Sequence, residues 1–156
     1  MRRKDREITD PHKIDGIIRQ CDCVRLAFAD GAKPYIVPLN FGYLNKQEGP
    51  VFYFHGAKEG RKIDLVRKCG IAGFELDTKH TLHTHEKACG HSFGYQSVIG
   101  TGKVSIVDKT AEKRTALELI MRQCTGKGGW EFDERALDAT AVIRLEVDEM
   151  ACKEHE

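Results

Sequence analysis

The sequence predicts a mainly β, α+β fold built on an antiparallel sheet or barrel, and three observations predict it. Six short segments carry the alternation, or the β-branched and aromatic enrichment, of strands. Helical segments are inserted between them without the strict strand–helix–strand alternation of a doubly wound fold. A length of 156 residues, with 40% apolar and 31% charged side chains, suits one domain with a real core.

The elements follow in chain order. Residues 1–8 are polar and read as a loosely held tail. Thr9 or Asp10 can cap a helix that has Pro11 at its first position and the apolar stripe Ile14, Ile17, Ile18 and Cys21. Gly16 weakens this helix. Val24–Ala29 then alternates, Asp30-Gly31 supplies a hairpin turn, and Pro34–Tyr43 resumes strand character. Tyr35, Val37, Leu39, Phe41 and Tyr43 share one face of that second strand. Pro38 cannot donate to a ladder, which puts the strand at an edge or a bulge.

After a turn at Asn45–Pro50 comes the apolar run Val51, Phe52, Tyr53 and Phe54, a buried strand. Ile71–Asp77 is a further strand, His80–Gly94 an irregular histidine-rich stretch, and Tyr95–Val107 a strand again. Lys109–Cys124 is a helix with Leu117, Ile120, Met121 and Cys124 on its apolar face. Thr125–Trp130 is a glycine-rich loop. Asp133 can cap a short helix, Glu134–Ala139. Ala141–Val147 is the last strand, and 149–156 reads as a second loosely held tail.

The stretch Val51–Cys69 carries the chemistry. Its strand feeds, through His55, Gly56 and Ala57, a helix whose apolar face is Ile63, Leu65, Val66 and Cys69. Arg61 and Lys62 stand in the first helical turn, where basic groups oppose the helix dipole. A bound phosphate would relieve that conflict, and Gly56 and Gly60 would let backbone approach it. A solvated basic helix start fits the same pattern.

A formal net charge of +1 gives no global field toward nucleic acid or an anionic membrane. No apolar run approaches the roughly 20 residues of a membrane helix, and no signal-peptide pattern opens the chain. The cytoplasm is the expected compartment, so the six cysteines are expected as reduced thiols, with Cys21-x-Cys23 structural. His80, His83, His85, Cys89 and His91 fall within twelve positions, with Glu75, Asp77 and Glu86 nearby. Imidazole and thiolate suit zinc, but the spacing is irregular and dispersed surface histidines are the expected outcome, so no metal is assigned.

Seven blocks, in order, resemble small flavoproteins of the pyridoxamine 5′-phosphate oxidase-like group, above all its 5-nitroimidazole-resistance (Nim) branch. They are MRRKDREITDP, YIVPLNFGY, FHGAKEGRKIDLVRK, FELD, EKACGHSFGYQSVIGTGKV, EKRTALELIMRQCTGK and AVIRLEVDEM. The resemblance implies that residues 1–156 form a single split β-barrel domain that binds FMN, as a homodimer with flavin at the subunit interface. It assigns the FMN phosphate to Arg61 and Lys62, with Lys58 and Gly60 beside it. Val37, Pro38, Leu39 and Asn40 are laid along the flavin ring, and Phe54, His55, Gly56 and Ala57 beside the ring and ribityl chain. Tyr95, Ser97 and Val98 are expected from the second subunit, with Trp130 in a lid. His55 is the titratable group expected near the reactive ring, as a proton donor or as a contact only.

The expected activity is reduction of a small electron-poor acceptor with electrons from a reduced nicotinamide. No Rossmann glycine pattern is present, so the nicotinamide would be a transient substrate. A flavin carrier or thiol-based redox sensor is the alternative. A haem-binding split barrel, using His155, is another. Pyridoxamine phosphate oxidation itself is disfavoured, because the arginine-rich C-terminal substrate motif is missing.

Overall fold

The computed structural model describes residues 3–155. Among them the chain forms β1 (Glu7–Ile8), α1 (Pro11–Gln20), β2 (Val24–Asp30), β3 (Lys33–Leu39), β4 (Gly42–Lys46) and β5 (Gly49–Ala57). It continues through α2 (Arg61–Cys69), β6 (Ile71–His83), β7 (Ser92–Ile106), α3 (Thr110–Thr125), α4 (Glu134–Ala139) and β8 (Thr140–His155). The strands make one antiparallel sheet in the order β3-β2-β6-β7-β8-β5-β4, with β1 paired to β8. The sheet curls around its core without closing, as a split barrel does.

β8 joins the two halves. Residues of its first half pair with β5, from Ala57↔Thr140 to Val51↔Glu146. Its other edge pairs with β7 as far as Tyr95↔His155. Where β5 has ended, β1 takes over, with Ile8 opposite Cys152.

The core explains the sequence pattern. Leu26, Phe41, Phe52, Phe54, Phe74, Leu76, Val98, Ile143 and Leu145 fill the barrel, capped by Ile17 and Ile18 of α1 and by Ile63, Leu65 and Val66 of α2. Phe52 is the hub, with the rings of Phe41, Tyr43 and Phe74 at 5.6, 5.3 and 5.2 Å. A second, smaller core of Val51, Tyr53, Val107, Ala116 and Val142 lies under α3. β5 is therefore buried on both faces, which is why Val51–Phe54 reads as an unbroken apolar run.

α1 and α4 begin where the capping residues predict. The Asp10 carboxylate accepts from the His12 N–H, and the Asp133 carboxylate accepts from Arg135 and Ala136. β3 is an edge strand, as Pro38 requires.

Four expectations need correction. Pro34–Tyr43 is two strands: the face assignment is right, but the chain leaves β2 after Leu39 and joins β5 from Gly42. His80–Gly94 is not irregular throughout, because β6 runs to His83 and pairs back on Ser92–Gly94 beyond a bulge between Thr78 and Thr81. The C-terminal tail is not loose: residues up to His155 belong to β8, and Glu156 lies outside the described residues. The N-terminal tail is tied as well, with Glu7 opposite Lys153, although Met1 and Arg2 lie outside the described residues. The strands thus number eight rather than six, the additions being β1 and β4.

Candidate functional site

The junction between β5 and α2 is assembled from elements on either side. Phe54 points into the barrel and is fully buried, which turns His55 to the opposite face. Gly56 and Ala57 finish the strand against Ala141 and Thr140. Lys58 and Glu59 are exposed, and Gly60 caps the helix with φ +116°, a backbone region that favours glycine. Gly60 brings no capping side chain, and its carbonyl accepts from Ile63 and Asp64. The first N–H groups of α2 have no intrahelical acceptor and form the donor end of the helix.

Two cations stand in the first turn of α2 and bond to different elements. Lys62 folds back over β5, its Nζ donating to the His55 carbonyl oxygen at 3.4 Å. A Cβ on Gly56 would lie 2.6 Å from that Nζ, so the glycine makes the lysine's seat. Burial pushes the Lys62 pKa down. Arg61 donates from Nε and Nη2 to one carboxylate oxygen of Asp30, and its guanidinium lies 4.6 Å from the centre of the Tyr35 ring.

His55 opens onto a cleft of about 210 Å³ walled by Leu117, Ile120, Met121, Phe132, Ala136, Leu137 and Thr140. The Thr140 hydroxyl is committed to the Ala136 carbonyl at 2.8 Å, leaving the imidazole as the polar group of an apolar cleft. Burial of the ring, and then the Lys62 charge, lower the His55 pKa. The shift favours the neutral ring, which has one nitrogen to donate and one to accept.

A family model described as pyridoxamine 5′-phosphate oxidase matches residues 10–154. The chain belongs to the pyridoxamine 5′-phosphate oxidase family. A candidate 5-nitroimidazole antibiotic resistance protein from Bacteroides thetaiotaomicron is 32% identical, with a TM-score of 0.81 over 95% of this chain and 86% of that one. Two more distant structures share the fold. The flavocytochrome Anf3 from Azotobacter vinelandii is 17% identical, with a TM-score of 0.81 over 100% of this chain and 72% of that one. An FAD- and haem-binding protein from Mycobacterium smegmatis is 15% identical, with a TM-score of 0.78 over 97% and 74%. Curated protein sequences give no match.

In this member of the pyridoxamine 5′-phosphate oxidase family, the remaining sequence-derived residues lie on other elements. On edge strand β3, Val37 and Leu39 lean on the core, while Pro38 faces outward opposite Arg25. Asn40 donates its amide to the Asp22 carbonyl at 3.1 Å. Val98 is buried in the barrel, so only its backbone can meet a ligand; Ser97 faces outward between Asp77 and Lys153. Tyr95 packs edge-on to His155 and lines a separate cavity of about 180 Å³ with Lys79, Thr81, His83, Gln96 and Glu154. His155 also meets the Arg6 guanidinium at 3.2 Å. Trp130 is held by its own loop, its indole N–H donating to the Lys127 carbonyl at 3.1 Å, and Phe132 rather than Trp130 walls the His55 cleft.

Among the described residues no three His, Cys, Asp or Glu side chains stand together as a metal site. His80 pairs with Asp77 at 2.8 Å. His85 and His91 bond to the backbone of Lys87, and Cys89 is exposed. His80 and His83 lie on β6, whereas His85, Cys89 and His91 lie in the connection to β7.

Sequence reasoning missed Asp30, Tyr35, Phe132 and Gln96. Gln96 is buried, donates to the Glu154 carboxylate, and has a side-chain oxygen without a protein partner. Its signal was legible: a polar residue sits at an inward position of the Gly94, Gln96, Val98 alternation.

Proposed function

We propose that this protein is an FMN-dependent oxidoreductase that reduces a small, uncharged, electron-poor acceptor with electrons from a reduced nicotinamide. The observation that carries the reading is the junction itself. A lysine folded over β5 and an arginine held by Asp30 both stand in the first turn of a glycine-capped helix, beside a cleft whose polar group is one histidine.

These residues fit a flavin mononucleotide. The phosphate would take the N–H groups after Gly60, the Lys62 ammonium and the Arg61 guanidinium, with Lys58 one turn away. Gly56 and Ala57 would stand beside the ribityl chain. When bound, the flavin supplies the two-electron chemistry. His55 would orient the acceptor by hydrogen bonding and pass a proton through a ring nitrogen. Its lowered pKa favours the neutral ring and so suits the first task better. The apolar wall of Leu117, Ile120, Met121 and Phe132 would admit a flat neutral molecule and reject charged ones. The likeness to the Bacteroides protein supports a nitro-substituted heterocycle as acceptor.

The reading includes a homodimer. Ile36, Pro38 and Ile99 stand exposed on one outward face of β3-β2-β6-β7, where a second subunit would cover them and bring its own Tyr95, Ser97 and Val98. All six cysteines are free thiols, as a reducing compartment keeps them, and the cytoplasm is the proposed location. No helix among the described residues is long and apolar enough to cross a membrane.

The absorbance spectrum of the purified protein tests the cofactor. Flavin bands are expected; a Soret band would favour haem, and a colourless protein that refuses added FMN would refute the reading. Anaerobic mixing with reduced nicotinamide should bleach the flavin, and a 5-nitroimidazole should restore it. A flavin that no donor reduces would mark a carrier instead.

A further inference from the structure

The geometry points to Asp30 as the positioning residue of the phosphate site, acting through Arg61; this rests on the FMN reading above. Arg61 is not a loose cation at a helix start. Its Nε and Nη2 both donate to Oδ2 of Asp30, at 3.0 and 2.8 Å, while its guanidinium carbon lies 4.6 Å from the centre of the Tyr35 ring. The carboxylate comes from the end of β2 and the ring from β3, so both anchors belong to one hairpin. The other carboxylate oxygen of Asp30 lies 3.9 Å from the Lys68 amine, which holds it from a second direction.

The choice of edge matters. Guanidinium has five N–H donors in a planar fork. Asp30 uses the edge formed by Nε and Nη2. The terminal edge, Nη1 with the second Nη2 hydrogen, is the pair that matches two oxygens of a phosphate. Asp30 and Tyr35 therefore hold Arg61 by one edge and one face and leave the phosphate-binding edge presented.

Two effects of the Asp30 charge compete. It repels an incoming phosphate, and it removes rotamer freedom that Arg61 would otherwise lose on binding. The Asp30 and Arg61 side chains are 31% and 54% exposed, so solvent screens the repulsion. Ordering a long side chain carries its cost whatever the dielectric. Positioning wins, and Asp30 favours the phosphate despite its sign.

Titration of the full chain, stripped of flavin, with FMN and with riboflavin tests this through flavin fluorescence. Asp30→Ala should raise the Kd for FMN about fivefold and leave that for riboflavin unchanged. In an Arg61→Ala background the same change should do nothing more. Asp30→Ser keeps a turn-forming residue but is too short to reach the Arg61 guanidinium, carries the same expectation, and serves where the alanine variant does not fold. An unchanged or lower Kd for FMN overturns the proposal, as does an equal loss for both ligands or a loss that persists without Arg61. If Arg61→Ala itself leaves FMN binding untouched, the phosphate assignment fails first, and the proposal with it.

Discussion

The Lys62 amine rests in the gap left by the missing side chain of Gly56, with its Nζ 3.4 Å from the His55 carbonyl. The contact ties the helix start to the last residues of β5. A Cβ at Gly56 would stand 2.6 Å from that nitrogen, but the obstacle is the far end of a flexible side chain. Gly56→Ala should therefore move the cation and leave the barrel intact. We expect FMN affinity to fall about tenfold while unfolding free energy changes by less than about 1 kcal/mol. Flavin titration beside urea unfolding separates the two.

Gly42 is the opposite case. A Cβ there would lie 2.7 Å from the Ile120 backbone nitrogen and 2.8 Å from the Leu119 carbonyl carbon. Backbone cannot swing aside, so α3 must shift, and the cost should be about 1–3 kcal/mol. Gly16, in α1, has open space around the same position. Gly16→Ala should stabilise by about 0.5–1 kcal/mol through helix propensity. Urea midpoints of the two variants should move in opposite directions.

The His55 pKa is lowered by burial of its ring and by Lys62, so the native state holds its proton less tightly than the unfolded chain does. Below the ordinary imidazole range the unfolded state then binds more protons, and stability falls as pH falls. The contribution is fully present above the unfolded pKa and lost as pH drops through the folded one. His55→Gln should flatten this part of the stability profile. The His55 ring resonance, followed by NMR, should titrate below that of a free histidine. Lys62→Met should raise its midpoint by removing the second cause.

The thiols divide by burial. Desolvation pushes Cys21 up to about 12 and Cys152 up to about 11, and both are buried. Cys89 and Cys124 are exposed. Alkylation at pH 8 under native conditions should modify Cys89 first and leave Cys21 and Cys152 untouched until the protein unfolds, as mass spectrometry would read. Fast native labelling of Cys21 would revive a sensor role for the Cys21-x-Cys23 pair.

Legibility in the sequence followed burial. The run Val51–Phe54 stands out because both of its faces are covered, and Asp10 and Asp133 mark their helices because capping is local. The far ends of β6 and β8 were illegible for the converse reason. Lys79–His83 is polar and exposed and pairs with β7 beyond a bulge, and the far end of β8 pairs with β7 and β1 with only the short alternation Met150, Cys152 turned to the core, too little to read as a strand. The Arg61-Lys62 pair was visible as two adjacent cations. The grip of Asp30 on Arg61 was not, since it spans a hairpin and a helix that only the folded sheet brings together. The family resemblance put Trp130 in a lid, yet Phe132 reaches the cleft, and Glu118 fastens the loop backbone at Gly129 and Trp130 to α3.

The place of β8 in the sheet has a consequence for how the molecule is made. Among the described strands it is the last in chain order, yet it lies between β7 and β5 and also receives β1. Until it emerges, the β4–β5 hairpin has no neighbour in the sheet and the edge of β7 stays open. The nascent chain must keep those edges from pairing with other chains, and the final step joins residues far apart in sequence, which is slow. A chain stalled before Thr140 would expose Phe52 and Phe54 with their covering strand still missing, making it a client for chaperones rather than a smaller folded protein.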